Sequence, residues 1–403
     1  MPDPQRVVVI GGTLKNLQRY HSLGIDITFV QSAEKVRPLS MDYCTEILRA
    51  DFVNDYGTVE KLLLERHLHH PFQRILSVSE EGLVPAARLS QLLGLEGNPL
   101  HAVWRLKDKH LMRKCLEEKG LSPVRYGIAD SAESLRLIAR DFGRKVVVKP
   151  VCGSGSAGVL HMAHPDEAGT VWSETLQSGH GPMLVEEHLD GPEFSVETFS
   201  WKGQHLVLAV TRKLLHHNFE VGHSMPAELG SHMNEEVAVT AKGLLDAVGI
   251  IEGPAHTEIR ITKDGPRIIE SQNRVGGSRI DELLAISLDM DIHRLAMSVP
   301  LGIDPPPVSS PVSPRGAAVR HFVPKPGRVV DVHVPDAVAA DQALSLVLGV
   351  EPGDVVHEQR TNFDRNALGC WVVAGGSDED EAVQRCQGVL DSVEIVTEAM
   401  ATS

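Results

Sequence analysis

The stretch VVVKPVCGSGSAGVLHM runs from Val146 to Met162, and Gly153, Gly155 and Gly158 within it spell G-x-G-x-x-G. That spacing marks a dinucleotide site only when a strand leads in and a helix opens behind it, because the pyrophosphate rests on the helix N-terminus. The leading half fits, since KVVVK is a short β-branched run of the buried-strand type. The trailing half does not. GVLHMAHP is apolar, short and closed by Pro165, so it reads as a second strand. No Gly-Lys-Ser/Thr closes the loop, which excludes a P-loop. What is left is a glycine-rich hairpin tip with Lys149 at a strand end. Its backbone N–H groups can fold over phosphates while the lysine supplies a point charge. Alone, the segment fits a mobile surface hairpin equally well.

Upstream, RVVVIGG (Arg6–Gly12), DITFVQ, a helical stretch and RILSVS (Arg74–Ser79) alternate strand with helix, the pattern of a parallel α/β sheet. RLKDKHLMRKCLEEKGLSP reads as one helix stopped at Gly120, with Pro123 just beyond. Downstream, Val237, Ala241, Leu244, Leu245 and Val248 share one helix face. DPPPVSSPVSP (Asp304–Pro314) is a linker, and GCWVVAGG, a helix capped near Ser377, and VEIVT form a strand–helix–strand unit.

Composition narrows the class without naming the chemistry. The 403 residues suffice for roughly two to three domains. An apolar share of 42% and a charged share of 23% are those of a globular protein. No run approaches the roughly 18 to 20 apolar residues of a membrane span, and no signal-peptide pattern opens the chain. The 5 cysteines form no C-x-x-C pair, which fits a cytoplasmic protein without disulfides or zinc. A net charge of −15 argues against a nucleic-acid partner.

Two further segments decide what the glycine loop serves. MLVEEHLDGPEFSVETF (Met183–Phe199) begins as an apolar run, meets Glu186 and Glu187, and turns at Asp190–Pro192 before a second strand. An extended Val185–Leu189 offers backbone groups to an adenine edge, and Glu193 can accept from ribose hydroxyls. TEIRITKDGPRIIESQNRVGGSRI (Thr257–Ile280) reads as a hairpin with Lys263-Asp264-Gly265 at its turn. An Asp-Gly loop alone would send Glu258 and Glu270 to opposite faces. A three-residue loop with Gly265 left-handed would set them directly opposite each other. Facing like charges destabilise a ladder, so a bound cation would turn the pair into a site suited to Mg²⁺ carrying nucleotide phosphates. Arg274 follows at the strand end, within reach of a phosphate or carboxylate.

In this order and spacing, KPVCGSGSAG, VEEHLDGPEF and E…ESQNR resemble the ATP-grasp superfamily, from about Arg6 to Leu301. The resemblance implies an α/β and α+β architecture with these parts: an N-terminal parallel α/β domain (1–100), a two-subdomain ATP-binding unit (101–303), a Pro-rich linker (304–315) and a small C-terminal α+β domain (316–403). Within the ATP-binding unit the glycine-rich lid covers about 125–200 and the metal-site subdomain about 201–303. Lys109 and Lys149 match the lysines on the ATP phosphates, and Gly153, Ser154, Gly155 and Ser156 the loop. Glu186, Glu187 and Leu189 match the adenine hinge, and Glu193 the ribose carboxylate. Glu258 and Glu270 match the metal pair, and Arg274 the arginine near the transferred phosphate. Where the usual pattern is E-x-N-x-R, Gln272 stands at the Asn position, with Asn273 beside it as a substitute ligand. The implied cofactors are ATP and two Mg²⁺ ions, with Mn²⁺ able to substitute.

Within the superfamily, carboxylases carry a glutamate four positions after the catalytic arginine, where this chain has Ser278. The form E…R-x-G-G-x-x-I instead resembles the ligases of free carboxylates, including L-amino-acid (dipeptide) ligases. FEVGHSMPAEL and GAAVRHFVPKPGRV are similar to the same group. The implied reaction is acyl phosphate formation at the expense of ATP, then attack by an amine. Lys213 would hold a substrate carboxylate or the phosphoryl group. Glu220 and His223 would grip or deprotonate the amine, and Arg260, Gly277, Ser278, Arg279 and Arg320 would contact substrate. The expected partners are a small carboxylate and an amine, with no nucleic acid or membrane, and a homodimer is the default assembly. Rival readings are a ligase of non-amino-acid carboxylates in natural-product assembly, a biotin-carboxylase-like enzyme, and a nucleotide-binding protein without turnover.

Overall fold

The computed structural model describes residues 4–216, 219–358 and 369–400. Strands β1 (Arg6–Ile10), β2 (Asp26–Gln31), β3 (Glu46–Arg49) and β4 (Arg74–Leu76) form a parallel sheet ordered β3-β2-β1-β4. Helices α1 (Leu14–His21), α2 (Tyr56–His69) and α3 (Leu83–Leu92) connect it. The short β3 replaces part of the helical stretch expected between the second and last strands. Gly11 packs tightly at the end of β1, where a Cβ would collide with Ser79 Oγ.

The single helix expected around Asp108 is two: α4 (Leu100–Lys107) and α5 (Lys109–Glu118). Asp108 is extended, at φ −99 and ψ 108, and its carboxylate accepts from the N–H groups of His110 and Leu111. It therefore caps α5 and breaks the run. Lys109 becomes the first residue of the new helix and points into the cleft described below.

A four-stranded antiparallel sheet follows, ordered β5-β8-β6-β7. Its strands are β5 (Tyr126–Ala129), β6 (Val146–Pro150), β7 (Leu160–Met162) and β8 (Met183–Glu187). Helices α6 (Ala132–Phe142) and α7 (Ala168–Gln177) cover one face, with Leu135, Ala139 and Val171 packed on Val146, Val148 and Val185. The glycine loop joins β6 to the strand β7, not to a helix.

The largest sheet has eight strands, ordered β13-β12-β9-β10-β11-β14-β18-β16. It begins with β9 (Glu193–Trp201), β10 (Gln204–His216), β11 (Phe219–Met225), β12 (Gly253–Thr262) and β13 (Gly265–Gln272), flanked by α8 (Ser231–Val248), α9 (Ile280–Leu288) and α10 (Ile292–Ser298). β14 (Gly316–His321), β16 (Leu344–Leu348) and β18 (Cys370–Gly376) extend it, with Gly222 opposite Arg320. β15 (Gly327–His333), β17 (Val355–Val356) and β19 (Glu394–Glu398) form a separate three-stranded sheet. Short α11 (Asp336–Ala339) and α12 (Glu379–Ser392) complete this part. The last segment thus shares its main sheet with the preceding domain. Among the described residues no helix is long and apolar enough to cross a membrane.

Alternation along β9, β12 and β13 creates the functional asymmetry. One face carries Phe194, Val196, Ala255, Ile259 and Ile268, buried against Val237, Ala241, Leu244, Leu245 and Val248 of α8 and Met112, Cys115 and Leu116 of α5. The other face carries charge.

Candidate active site

On β12 that charged face presents His256, Glu258 and Arg260. The ladder sets them opposite Glu197, Ser195 and Glu193 of β9, and it sets His256 and Glu258 opposite Gln272 and Glu270 of β13. The facing glutamates arise differently from the expected three-residue loop. The turn is a two-residue loop, with Thr262 opposite Gly265, and the register slips between Glu258 and Ile259. Ile259 pairs with Ile268 and Glu258 with Glu270, so Ile269 is the extra residue of a bulge. The bulge turns both Ile269 and Glu270 to the cleft, although Ile268 faces the core.

Between this face and the β5–β8 sheet lies a cleft of about 270 Å³. Lys109, Lys149, the loop Gly153–Gly155 with Ser156, Glu186, Glu187, Leu189, Glu193, Lys213, Glu220, Glu258, Arg260 and Glu270 line it. Its charges are cross-paired. Lys213 Nζ lies 2.6 Å from Glu193, 2.8 Å from Glu220 and 3.0 Å from Glu258. Lys109 Nζ lies 3.0 Å from Glu270 and donates to the Gly153 carbonyl at 2.9 Å. Lys149 Nζ lies 2.7 Å from Glu186, whose other oxygen takes the Arg113 guanidinium. Arg260 pairs with Glu193 and donates to the Leu189 carbonyl.

Burial opposes ionisation of Glu270, yet Lys109, with Lys149 and Lys213 behind it, holds the carboxyl down at about 2. Glu186 is likewise held at about 2 against burial by Arg113 and Lys149. Burial also works against the Lys213 cation, but Glu220, Glu258 and Glu193 raise it well above its ordinary value. Glu220 is lowered well below the carboxylate range against burial, mainly by Lys213. Lys149 is shifted down by burial.

Glu186 allows a pH prediction. Its carboxyl falls from 4.5 to about 2, so its stabilisation is complete above about 4.5 and is lost as pH drops toward 2. Glu186→Gln is expected to cost about 3 kcal/mol at neutral pH, because Arg113 and Lys149 are left buried without their partner. The gap to the parent protein, followed by urea unfolding across pH, should close between those values. A gap independent of pH would show that the ion pair does not stabilise the fold.

The other expected residues divide. Gln272 donates its amide to Glu270 Oε1 at 2.7 Å and so stands beside the glutamate pair. Asn273 stands apart from that pair. One step further along the strand it points the opposite way, donates to the Pro254 carbonyl at 2.9 Å and accepts from Asn98 at 2.8 Å. Arg274 is held at 2.6 Å by Glu80, which also takes Lys107 at 2.6 Å. Ser278 donates to Glu220 at 3.0 Å, and His223 Nε2 lies 3.5 Å from the same carboxylate. Ser278 and Arg279, following Gly277, both adopt left-handed backbone, at φ 48 and φ 67. Such strain in non-glycine residues clusters at working sites. The guanidinium of Arg279, however, stacks 3.8 Å from the Trp371 ring centroid and pairs with Glu282. Arg320 is buried and donates to the carbonyls of His223 and Val319. Neither arginine lines the cleft, and both make internal contacts in the structure.

Sequence reading missed Arg113, Glu80, Lys107, Glu197 and His256. Arg113 had one signal, four positions after Lys109 on the same helical face. Glu197 and His256 had another, each sharing a strand face with a residue already singled out, Glu193 and Glu258.

Can this face hold a metal? Among the described residues no group of three or more His, Cys, Asp or Glu is arranged to bind an ion unaided. Two facing carboxylates with an amide oxygen beside them are hard oxygen donors, and an ion there would take its remaining ligands from phosphates and water. That is the ordinary mode of Mg²⁺ with nucleotides, so the donor set fits.

Three family descriptions match the chain in order: the ATP-grasp N-terminal domain over residues 18–97, the ATP-grasp domain over 142–282, and the L-amino acid ligase C-terminal domain 2 over 320–398. The chain is 23% identical over 342 residues to an L-arginine-specific L-amino acid ligase from Bacillus subtilis, covering 81% of this chain and 82% of that one. It is 26% identical over 365 residues to dapdiamide A synthase from Enterobacter agglomerans, covering 84% of each. A crystal structure of L-amino acid ligase from Bacillus licheniformis superposes with a TM-score of 0.82 at 19% identity, over 99% of this chain and 100% of that one. The fold, the face-to-face glutamates under a glycine loop, and these matches place the chain in the ATP-grasp superfamily, with a C-terminal domain of the L-amino acid ligase type.

Proposed function

We propose that this protein is an ATP-dependent ligase that joins the carboxylate of an amino acid to an amine, forming an amide and releasing ADP and phosphate. The observation that carries this reading is the pairing of Glu258 with Glu270 on one wall of a cleft whose other walls present Lys109, Lys149 and the glycine loop. The names of the relatives, an L-arginine-specific L-amino acid ligase and dapdiamide A synthase, support it.

ATP would enter with its adenine against the Glu186–Leu189 segment and its ribose toward Glu193. Lys109 and Lys149 would exchange their carboxylate partners for phosphate oxygens. Bound Mg²⁺, in two ions or replaced by Mn²⁺, would neutralise the phosphates beside Glu258, Glu270 and Gln272. The substrate carboxylate attacks the γ-phosphorus and ADP departs; the amine then attacks the acyl carbon and expels phosphate. Lys213 would steady the reacting oxygens. Glu220, kept ionised by Lys213, would receive the ammonium of an amino acid, with His223 and Ser278 at its side. The loop 153–158 would close over the nucleotide and exclude water, which otherwise hydrolyses the acyl phosphate. A homodimer and a cytoplasmic location belong to the same reading, and the five free cysteines fit a reducing compartment.

The test is ADP release across pairs of amino acids, with the product's mass determined. One set of pairs should give ADP together with a product weighing the two substrates less water. ADP release that ignores the amine and yields no condensed product would contradict the proposal.

A further inference from the structure

Glu258 is approached by two nitrogen-bearing side chains, and the cleft accounts for only one of them. Lys213 reaches it from the cleft at 3.0 Å. From the buried side, His256 Nε2 lies 3.5 Å from Glu258 Oε1. The imidazole is itself fixed. Its Nδ1 meets both oxygens of Glu197, at 2.9 and 3.0 Å, and Ser195 Oγ donates to that carboxylate at 2.7 Å. Gly276 closes the other side of the ring, where a Cβ would come within 2.6 Å of His256 Nδ1. The first glycine of the R-x-G-G run, Gly276, is therefore required for the imidazole to sit where it does.

His256 and Glu197 are 5% and 3% exposed and line no part of the cleft, so neither can touch a substrate. Burying an imidazole against a carboxylate carries a desolvation cost that an apolar pair of similar size would not. These two positions face each other across β12 and β9, where valines or threonines would pack without that cost. A carboxylate–imidazole–carboxylate chain is, however, an arrangement that fixes the direction of a metal-binding group.

We propose that the Glu197–His256 pair is a positioning device for Glu258, fixing its carboxylate in the direction from which a divalent cation is bound beside the nucleotide. The proposal rests on the metal-binding role of Glu258. Lys213 cannot serve this purpose alone, because three carboxylates share it and it faces the space that substrates enter. His256 is held instead by Glu197, which lines no part of the cleft.

The test is Mn²⁺ binding in the presence of saturating ADP, read by electron paramagnetic resonance on the full chain, with metal-free ADP binding measured alongside. Glu258→Gln reports on the reading beneath: if it binds Mn²⁺ as the parent does, the metal assignment of Glu258 fails, and this proposal with it. Given a loss there, His256→Asn, which keeps a donor toward Glu197 and removes the one toward Glu258, should weaken Mn²⁺ about 10- to 100-fold. Metal-free ADP affinity should not change. His256→Gln, whose amide reaches toward Glu258, should recover part of the loss. Glu197→Gln, nearly isosteric, should also weaken Mn²⁺ and serves if the histidine variants fold poorly. A merely structural pair would lower the melting temperature in all three variants and leave Mn²⁺ affinity intact; that result overturns the proposal.

Discussion

Replacing Glu270 by Ala is expected to lower kcat for amide formation about a thousandfold, the scale of losing a main stabiliser of transition-state charge. Two effects combine. One of the two facing carboxylates disappears, and with it the oxygen that Gln272 orients at 2.7 Å. Lys109 also loses its 3.0 Å partner while remaining buried. That second effect separates the variants: Glu270→Gln keeps the volume and a polar contact for Lys109 but not the charge. It should lose stability on the scale expected for Glu186→Gln yet remain folded, bind ADP in the absence of metal, and still be nearly inactive. Full activity in Glu270→Ala with intact ATP binding would remove Glu270 from the chemistry.

Arg274→Ala is expected to have a comparable or larger effect, about 10³- to 10⁵-fold, if its guanidinium serves as the stabilising arginine of phosphoryl transfer. In the structure this side chain is held by Glu80 from the loop after β4, and Glu80 is bridged to Lys107 of α4. Burial raises the Glu80 carboxyl, but Arg274 and Lys107 outweigh it and keep it below its usual range. The N-terminal domain therefore orients a residue of the ATP-binding unit. Glu80→Gln should cost activity less than Arg274→Ala, and the double variant should be little worse than Arg274→Ala alone, because the two act as one unit. Strictly additive losses would mean that Glu80 does not act through Arg274. Steady-state kinetics on the three variants decides between these outcomes.

The parts of this site legible in the sequence were those written in local pattern. Glu258 and Glu270 stood out because a hairpin with a tight turn brings its two strands into one ladder. The right pairing nonetheless arose from a bulge at Ile269, and turn length alone says nothing of an extra residue within a strand. Asp108 was a capping residue in plain view, hidden by the continuous helical periodicity on either side of it. β3 was too short to signal against its neighbours. Sheet membership was not legible at all. Nothing in GAAVRH tells that it will pair with β11 and extend the sheet carrying Lys213 and Glu258. The same holds for the pairs Arg113–Glu186, Glu80–Arg274 and Glu197–His256, whose members lie 59 or more residues apart. Charge pairing of that kind is set by tertiary packing, and one chain without its fold does not display it.

In the proposed reaction the carboxylate substrate becomes phosphorylated by ATP before the amine attacks. Turnover with a carboxylate carrying ¹⁸O in both oxygens, followed by ³¹P NMR of the phosphorus products, tests it most directly. The expected products are ADP and inorganic phosphate, with one ¹⁸O atom transferred into the phosphate. Label in AMP, or phosphate free of label, would contradict it.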